Sequence, residues 1–240
     1  MENNDNSSNP SNNNNDNIIC EALPEDYSAY DLSFKLIVIG DSSVGKSCLT
    51  MKATKNFFEE FYNPTVGFEF FTFNVKVNDK AIKLQIWDTC GQEVYRSLIQ
   101  SFYRNSSLAI MVYEIDKKES FDNLNNWYNE IREQSNPDIK IFLIGNKTDL
   151  EENRQVTKEE ANSFVQEHNI DFFIETSAKT GFNAQNVFLE AAKTLYLEHL
   201  IYKDRASRTT SLLNNSILKK PLENSINEEE IEKKESKCPC

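Results

Sequence analysis

The segment Gly40-Asp41-Ser42-Ser43-Val44-Gly45-Lys46-Ser47 has the residue types and spacing of a loop that grips phosphate. In the pattern Gly-x4-Gly-Lys-Ser/Thr, successive backbone N–H groups curl round a phosphate and the following helix presents its positive N-terminus. Lys46 would add a point charge, and Ser47 a hydroxyl for Mg²⁺. A second polar motif, Asn146-Lys147-Thr148-Asp149, also follows an apolar run that ends in glycine. Each motif is short enough to recur by chance, so the surrounding elements decide. Phe34-Lys35-Leu36-Ile37-Val38-Ile39 reads as a buried strand before Gly40, and Leu49, Met51 and Ala53 fall in a helix-permissive run after Ser47.

Downstream, residues 68–77 alternate apolar and polar, Asn78-Asp79 supplies a turn, and 82–87 alternate again. That pattern predicts an antiparallel hairpin. Three further apolar runs, 108–113, 139–145 and 172–176, are separated by stretches with helical spacing and read as parallel strands with helical crossovers. Thr157-Lys158-Glu159-Glu160 is a capping box, and Val187, Phe188, Ala191, Leu195 and Leu200 form a core-facing stripe on a closing helix over 184–200. The expected fold is α/β, a six-stranded, mostly parallel sheet with one antiparallel edge strand and helices on both faces. Ligands in such sheets bind beyond the carboxyl ends of the strands, where Gly40, Asp88, Asn146 and Ser177 all fall.

The 240 residues suit one domain with tails. Residues 1–31 are dominated by Asn, Ser and Asp and read as a disordered extension, because they cannot bury enough apolar surface to offset their ordering entropy. Residues 32–200 would form the domain, and 201–240 a flexible tail. A formal net charge of −12 argues against a nucleic-acid partner. The five cysteines are scattered and contain no Cys-x-x-Cys pair, which suggests reduced thiols in the cytosol. Neither a secretory signal pattern nor an apolar run of about eighteen residues is present, so the chain is expected to stay out of the secretory lumen and not to span a membrane.

Asn146-Lys147-x-Asp149 resembles the Asn-Lys-x-Asp box of guanine-nucleotide-binding proteins, in which the aspartate accepts from the guanine N1–H and exocyclic amine. Adenine lacks that donor pair and would leave a buried carboxylate unpaired, which can give discrimination of ~10⁴-fold or more. Alone, the tetrapeptide is equally an ordinary polar loop. Ser177-Ala178-Lys179 matches the last box of the same proteins. With Trp87-Asp88-Thr89-Cys90-Gly91-Gln92-Glu93 included, the chain resembles the Ras-superfamily small GTPases over about 32–200. Within them, Lys83-Leu84-Gln85-Ile86-Trp87-Asp88-Thr89, Tyr95-Arg96-Ser97-Leu98-Ile99 and Phe102-Tyr103-Arg104 resemble the Rab family rather than Ras or Rho.

The resemblance implies a G domain of the P-loop NTPase class that binds GTP and GDP through Ser42, Ser43, Val44, Gly45, Lys46, Ser47 and Cys48 at the phosphates. At the base it implies Phe58, Asn146, Lys147, Asp149, Ser177, Ala178 and Lys179. It implies Mg²⁺ as cofactor, held by Ser47 and Thr65 directly and by Asp88 through water, consistent with the oxygen-rich shell this ion prefers. Gly91 would bring its amide to the γ-phosphate and Gln92 would orient the attacking water, with Lys46 completing the catalytic set. No arginine stands in the phosphate loop, so intrinsic hydrolysis should be slow and an activating protein should supply the missing charge. When the γ-phosphate leaves, Thr65 and Gly91 lose an anchor and both switch segments should relax. Phe70, Trp87 and Phe102 match the aromatic trio through which Rabs present an effector surface.

Cys238-Pro239-Cys240 resembles the Rab Cys-x-Cys terminus, which takes two geranylgeranyl groups, enough for stable anchoring. The implied setting is the cytoplasmic face of endomembranes with a cytosolic pool, and the implied partners are an exchange factor, an activating protein, a dissociation inhibitor and effectors. Cys90 departs from the pattern, standing where the family generally has alanine. Its thiol reads as a simple apolar substitute, as a brake on hydrolysis, or as a redox-sensitive group. The brake would make the chain a GTP-locked scaffold instead of a timer. Phe68 is bulkier than the family's usual residue there, and Phe71 adds a ring where most Rabs are polar. An ATP-using enzyme on the same phosphate loop is disfavoured by the Asn146-Lys147-x-Asp149 box.

Overall fold

A computed structural model of the chain describes residues 18–60, 65, 67–90 and 102–217. Seven strands join in one sheet: β1 (Cys20–Ala22), β2 (Leu32–Ile39), β3 (Phe68–Val77), β4 (Lys80–Thr89), β5 (Leu108–Glu114), β6 (Lys140–Asn146) and β7 (Phe172–Glu175). Their spatial order is β1-β3-β4-β2-β5-β6-β7. The hairpin and the parallel strands fall where the periodicity placed them. Strand β3 alone runs against the rest, since it pairs antiparallel with β1 and with β4 while the other pairs are parallel.

The expected count of six strands, with the antiparallel strand at the edge, is corrected by β1. This strand lies inside the segment expected to be a disordered extension. Its backbone finds real partners: Leu23 N–H donates to Asn74 O at 2.8 Å and Asn78 N–H to Ile19 O at 2.9 Å. Asn74 Nδ2 then donates to Pro24 O at 3.0 Å and Glu25 O at 3.1 Å, fastening the chain that follows. Three residues are too few to show a period of two, and their Asn-rich surroundings masked them.

Five helices among the described residues are α1 (Lys46–Lys55), α2 (Lys118–Asp122), α3 (Leu124–Gln134), α4 (Lys158–His168) and α5 (Ala184–Ile217). A 3-10 helix spans Thr148–Asn153 as well. Strand alternation sorts the core into two layers. Leu36 and Val38 face Leu49 of α1 and Val187, Phe188 and Ala191 of α5, whereas Ile37 and Ile39 face Trp127 and Ile131 of α3 and Phe164 of α4. Each such large apolar side chain taken out of water contributes about 1.5–3 kcal/mol. Helix α4 begins with the predicted capping box, Thr157 Oγ1 accepting from Glu160 N–H at 3.2 Å and the Glu160 carboxylate from Thr157 N–H at 2.9 Å.

The chain divides into two units, Met1–Glu198 and His199–Cys240. In the second, the helix expected to close at Leu200 runs on to Ile217. Residues 201–208 contain neither glycine nor proline, and Arg208 pairs with Asp204 one turn back at 2.8 Å.

Gly40 ends β2 where the chain must turn beneath β5. It has φ +137, and a Cβ there would stand 2.2 Å from Val112 O, a backbone atom that cannot swing away. Gly40→Ala is therefore expected to cost about 3 kcal/mol or more through overlap and strain. A urea titration checks this, and a midpoint equal to the parent's would refute it.

Candidate functional site

Because β2, β4, β6 and β7 run the same way, the loops after them open on one edge of the sheet. A cavity of about 340 Å³ lies there. Its wall gathers Ser42, Ser43, Gly45, Lys46, Ser47 and Cys48 from the first loop and α1, Phe58 and Thr65 from the next connection, and Asn146, Lys147, Asp149, Ala178 and Lys179 from the last two loops. Nearly every described residue singled out from the sequence for phosphate or base thus meets in one place. Glu59, Glu60, Thr89 and Cys90 line it as well.

Val44 and Ser177 are the exceptions. The Val44 side chain belongs to the core, and its carbonyl accepts from Asn146 Nδ2. Ser177 is buried behind Asp149 and donates its hydroxyl to Asp149 Oδ1 at 2.6 Å. Gly91, Gln92, Cys238 and Cys240 lie outside the described residues.

The phosphate loop is held open for an anion. Ser43 and Gly45 have φ of +69 and +94, which folds the loop back on itself. Lys46 is buried, and its ammonium donates to Gly40 O at 2.9 Å and Asp41 O at 2.7 Å. Burial pushes that ammonium below its usual range against the pull of Asp88 and Asp41. A phosphate in the cavity would supply the negative charge this cation lacks.

Beside Lys46, three oxygen-bearing side chains converge. Ser47 Oγ lies 2.7 Å from Thr65 Oγ1 and donates to Asp88 Oδ2. Asp88 is completely buried, yet its Oδ1 has no hydrogen-bond partner among the described residues. Two hydroxyls and a carboxylate with an unsatisfied oxygen fit a hard cation that keeps part of its water, as Mg²⁺ does. Without such a cation, burial pushes the Asp88 carboxyl up to about 7, against the lowering effect of Ser47 and Lys46. The proton is then held more tightly in the folded than in the unfolded state. Stability from this group is complete below the ordinary aspartate value of about 4 and is lost as pH rises to about 7. Relative to Asp88→Asn, the nucleotide-free and metal-free parent should lose roughly 4 kcal/mol across that window, read as urea midpoints against pH. A constant difference between the two proteins would refute it.

At the other end, Asn146 acts as a staple. Its Nδ2 donates to Val44 O at 2.9 Å, and its Oδ1 accepts from Thr176 Oγ1 at 3.1 Å and Ala178 N–H at 3.2 Å. It therefore joins the first loop to the last and leaves Asp149 to face a ligand. A Cβ on Gly45 would come within 2.4 Å of that Nδ2, so the staple needs glycine there.

One further support carries no local signal in the sequence. Asp41 accepts from Asn123 Nδ2 at 2.7 Å and Trp127 Nε1 at 2.8 Å, which ties the phosphate loop to the α2–α3 joint. Thr176 stands directly before the Ser177-Ala178-Lys179 box, which is its local signal.

On the outer face of β3 and β4, Phe70 packs on Trp87 with ring centroids 5.0 Å apart, and Trp87 on Phe102 at 4.8 Å. The predicted trio is contiguous. Phe68 joins it, 4.5 Å from Phe102, and stays about half exposed. Phe71 points the other way into the core, so its ring adds nothing to this surface. Cys90 is 2% exposed and packs with Ile39, Met111 and their neighbours. Such a thiol behaves as a small apolar group.

The sequence of residues 35–197 matches the model of the Ras family.

Proposed function

The chain belongs to the Ras family of small GTPases, and from that premise we propose that it is a Rab-like switch in vesicle traffic. It would hydrolyse GTP slowly and recruit effectors while GTP is bound. The observation that supports this most is the aromatic patch on β3 and β4, because the same two strands run to Asp88 and to the connection bearing Thr65. A change of nucleotide at the cavity then has a short mechanical route to an exposed apolar surface of the kind that binds partners.

In the proposed cycle Lys46 and the backbone of 42–47 hold the phosphates, and Asp149 reads the base. Ser47, Thr65 and Asp88 would hold Mg²⁺, which would supply positive charge against the phosphates. Gln92 orients the water that attacks the γ-phosphorus, and the bond to the β-phosphate oxygen breaks to give GDP and phosphate. Loss of that phosphate frees Thr65 and Gly91. Geranylgeranyl groups on Cys238 and Cys240 would keep the protein at the cytoplasmic face of endomembranes. A dissociation inhibitor would sustain a cytosolic pool, and an exchange factor and an activating protein would set the two rates. No helix of the described residues is long and apolar enough to cross a membrane.

Hydrolysis of pre-loaded GTP tests the timer directly. The parent should turn over on the order of 10⁻⁴ to 10⁻³ per second, as small GTPases without a partner's arginine do. Gln92→Leu should slow this at least tenfold, and Cys90→Ala should stay within threefold because the thiol is already an apolar filler. If Cys90→Ala accelerated turnover while Gln92→Leu changed nothing, the chain would be a GTP-locked scaffold instead.

A further inference from the structure

Glu114 is a buried carboxylate to which the proposed cycle gives no task. It ends β5 in register with Asn146 of β6, and only 7% of its side chain is exposed. Its charge is met by the ammonium of Lys147, whose side chain is 29% exposed and lines the cavity. We infer that Glu114 is a positioning residue for the base-binding end of the cavity: it holds the Lys147 ammonium aside, so that the lysine's methylene stem forms the wall. The inference rests on the guanine-nucleotide reading of that cavity.

Both partners are fixed by their backbones. Lys147 has φ +71, a left-handed conformation that a residue with a Cβ adopts only where its surroundings hold it. It is kept there by the Asn146 staple on one side and by Leu150 N–H donating to Lys147 O at 2.8 Å on the other. Ile115 N–H donates to Asn146 O at 3.0 Å, which locks the end of β5 to the start of the base-binding loop. Glu114 N–H donates to Ser120 Oγ at 3.1 Å, and that hydroxyl is itself anchored on Lys117 O at 2.8 Å. A carboxylate so enclosed cannot turn to water, and removing either member of the pair strands the other charge.

The stem of a lysine pinned at its tip presents methylenes in a defined place, which suits the flat apolar face of a purine. An unpinned ammonium would sweep through the space where the base should lie. Glu114 therefore acts on nucleotide residence through Lys147 and touches no nucleotide.

Dissociation of a fluorescently labelled GDP from the full chain tests this, with Glu114→Gln, Glu114→Asp, Lys147→Met and the Glu114→Gln/Lys147→Met double variant. Glu114→Gln should release the probe about tenfold faster, and Glu114→Asp, which keeps the charge, less than threefold faster. In the Lys147→Met background, adding Glu114→Gln should change the rate less than twofold, because no ammonium remains to be held. A purely structural carboxylate would show the same loss in both backgrounds, and that result, or a parental rate for Glu114→Gln, overturns the inference. A parent chain that does not retain labelled GDP at all overturns the guanine reading itself.

Discussion

Asp149→Asn should weaken GDP binding by about 10³-fold or more and make a xanthine nucleotide the better ligand. Asp149 reaches the cavity from the loop after β6, and its Oδ1 already accepts from Ser177 at 2.6 Å. The carboxylate is acceptor-only, so it can meet the N1–H and the exocyclic amine of guanine together. An amide offers one acceptor and one donor. Its NH₂ would face the guanine amine donor to donor, and a buried polar clash of that kind removes most of the binding free energy the pair supplied. Xanthine carries a carbonyl in place of that amine and restores complementarity. Competition of GDP, xanthosine diphosphate and ADP against a labelled nucleotide gives the answer. An Asn variant that keeps parental affinity for GDP and gains none for xanthine would remove Asp149 from base recognition.

The sequence made the site's contents legible because each box lies directly after a strand. Apolar runs predict strands from period and length alone, and parallel strands bring their carboxyl ends together, so Gly40, Asp88, Asn146 and Ser177 had to meet. What stayed hidden depends on distance along the chain. Asp41 is bonded to Asn123 and Trp127, separated from it by 82 and 86 positions, and no local pattern announces such a pair. The orientation of side chains within a motif was also invisible. Asn146 lines the cavity and also braces the loops, while the Val44 side chain turns into the core and its carbonyl accepts from Asn146. At β3, alternation does separate Phe70 outward from Phe71 inward, since neighbours on a strand face opposite sides. Strand β1 eluded sequence reading for a different reason: its pairing comes from the edge of β3 and the Asn74 side chain, not from its own three residues.

Lys46→Met should separate folding from binding. In the nucleotide-free chain Lys46 is a buried cation whose donors reach two backbone carbonyls, so burial already taxes its charge. Methionine keeps nearly the same volume without the charge. Replacing a buried ion by an apolar group of similar size is often neutral or stabilising, so the nucleotide-free midpoint in urea should fall by no more than about 1 kcal/mol. Binding should respond in the opposite sense. Two of its three donors already reach carbonyls, so the ammonium would give the phosphates one direct charge-assisted hydrogen bond of about 1.5–3 kcal/mol, and its loss implies a weakening of GDP and GTP by about 10- to 100-fold. Arginine offers no rescue, because its planar fork does not fit a cradle closed by Gly40 and Asp41 carbonyls. Titration with labelled GDP and GTP, set beside urea unfolding without nucleotide, reads both effects. If Lys46→Met bound GDP within tenfold of the parent, the phosphate would have to be held by the loop's backbone and the helix terminus alone.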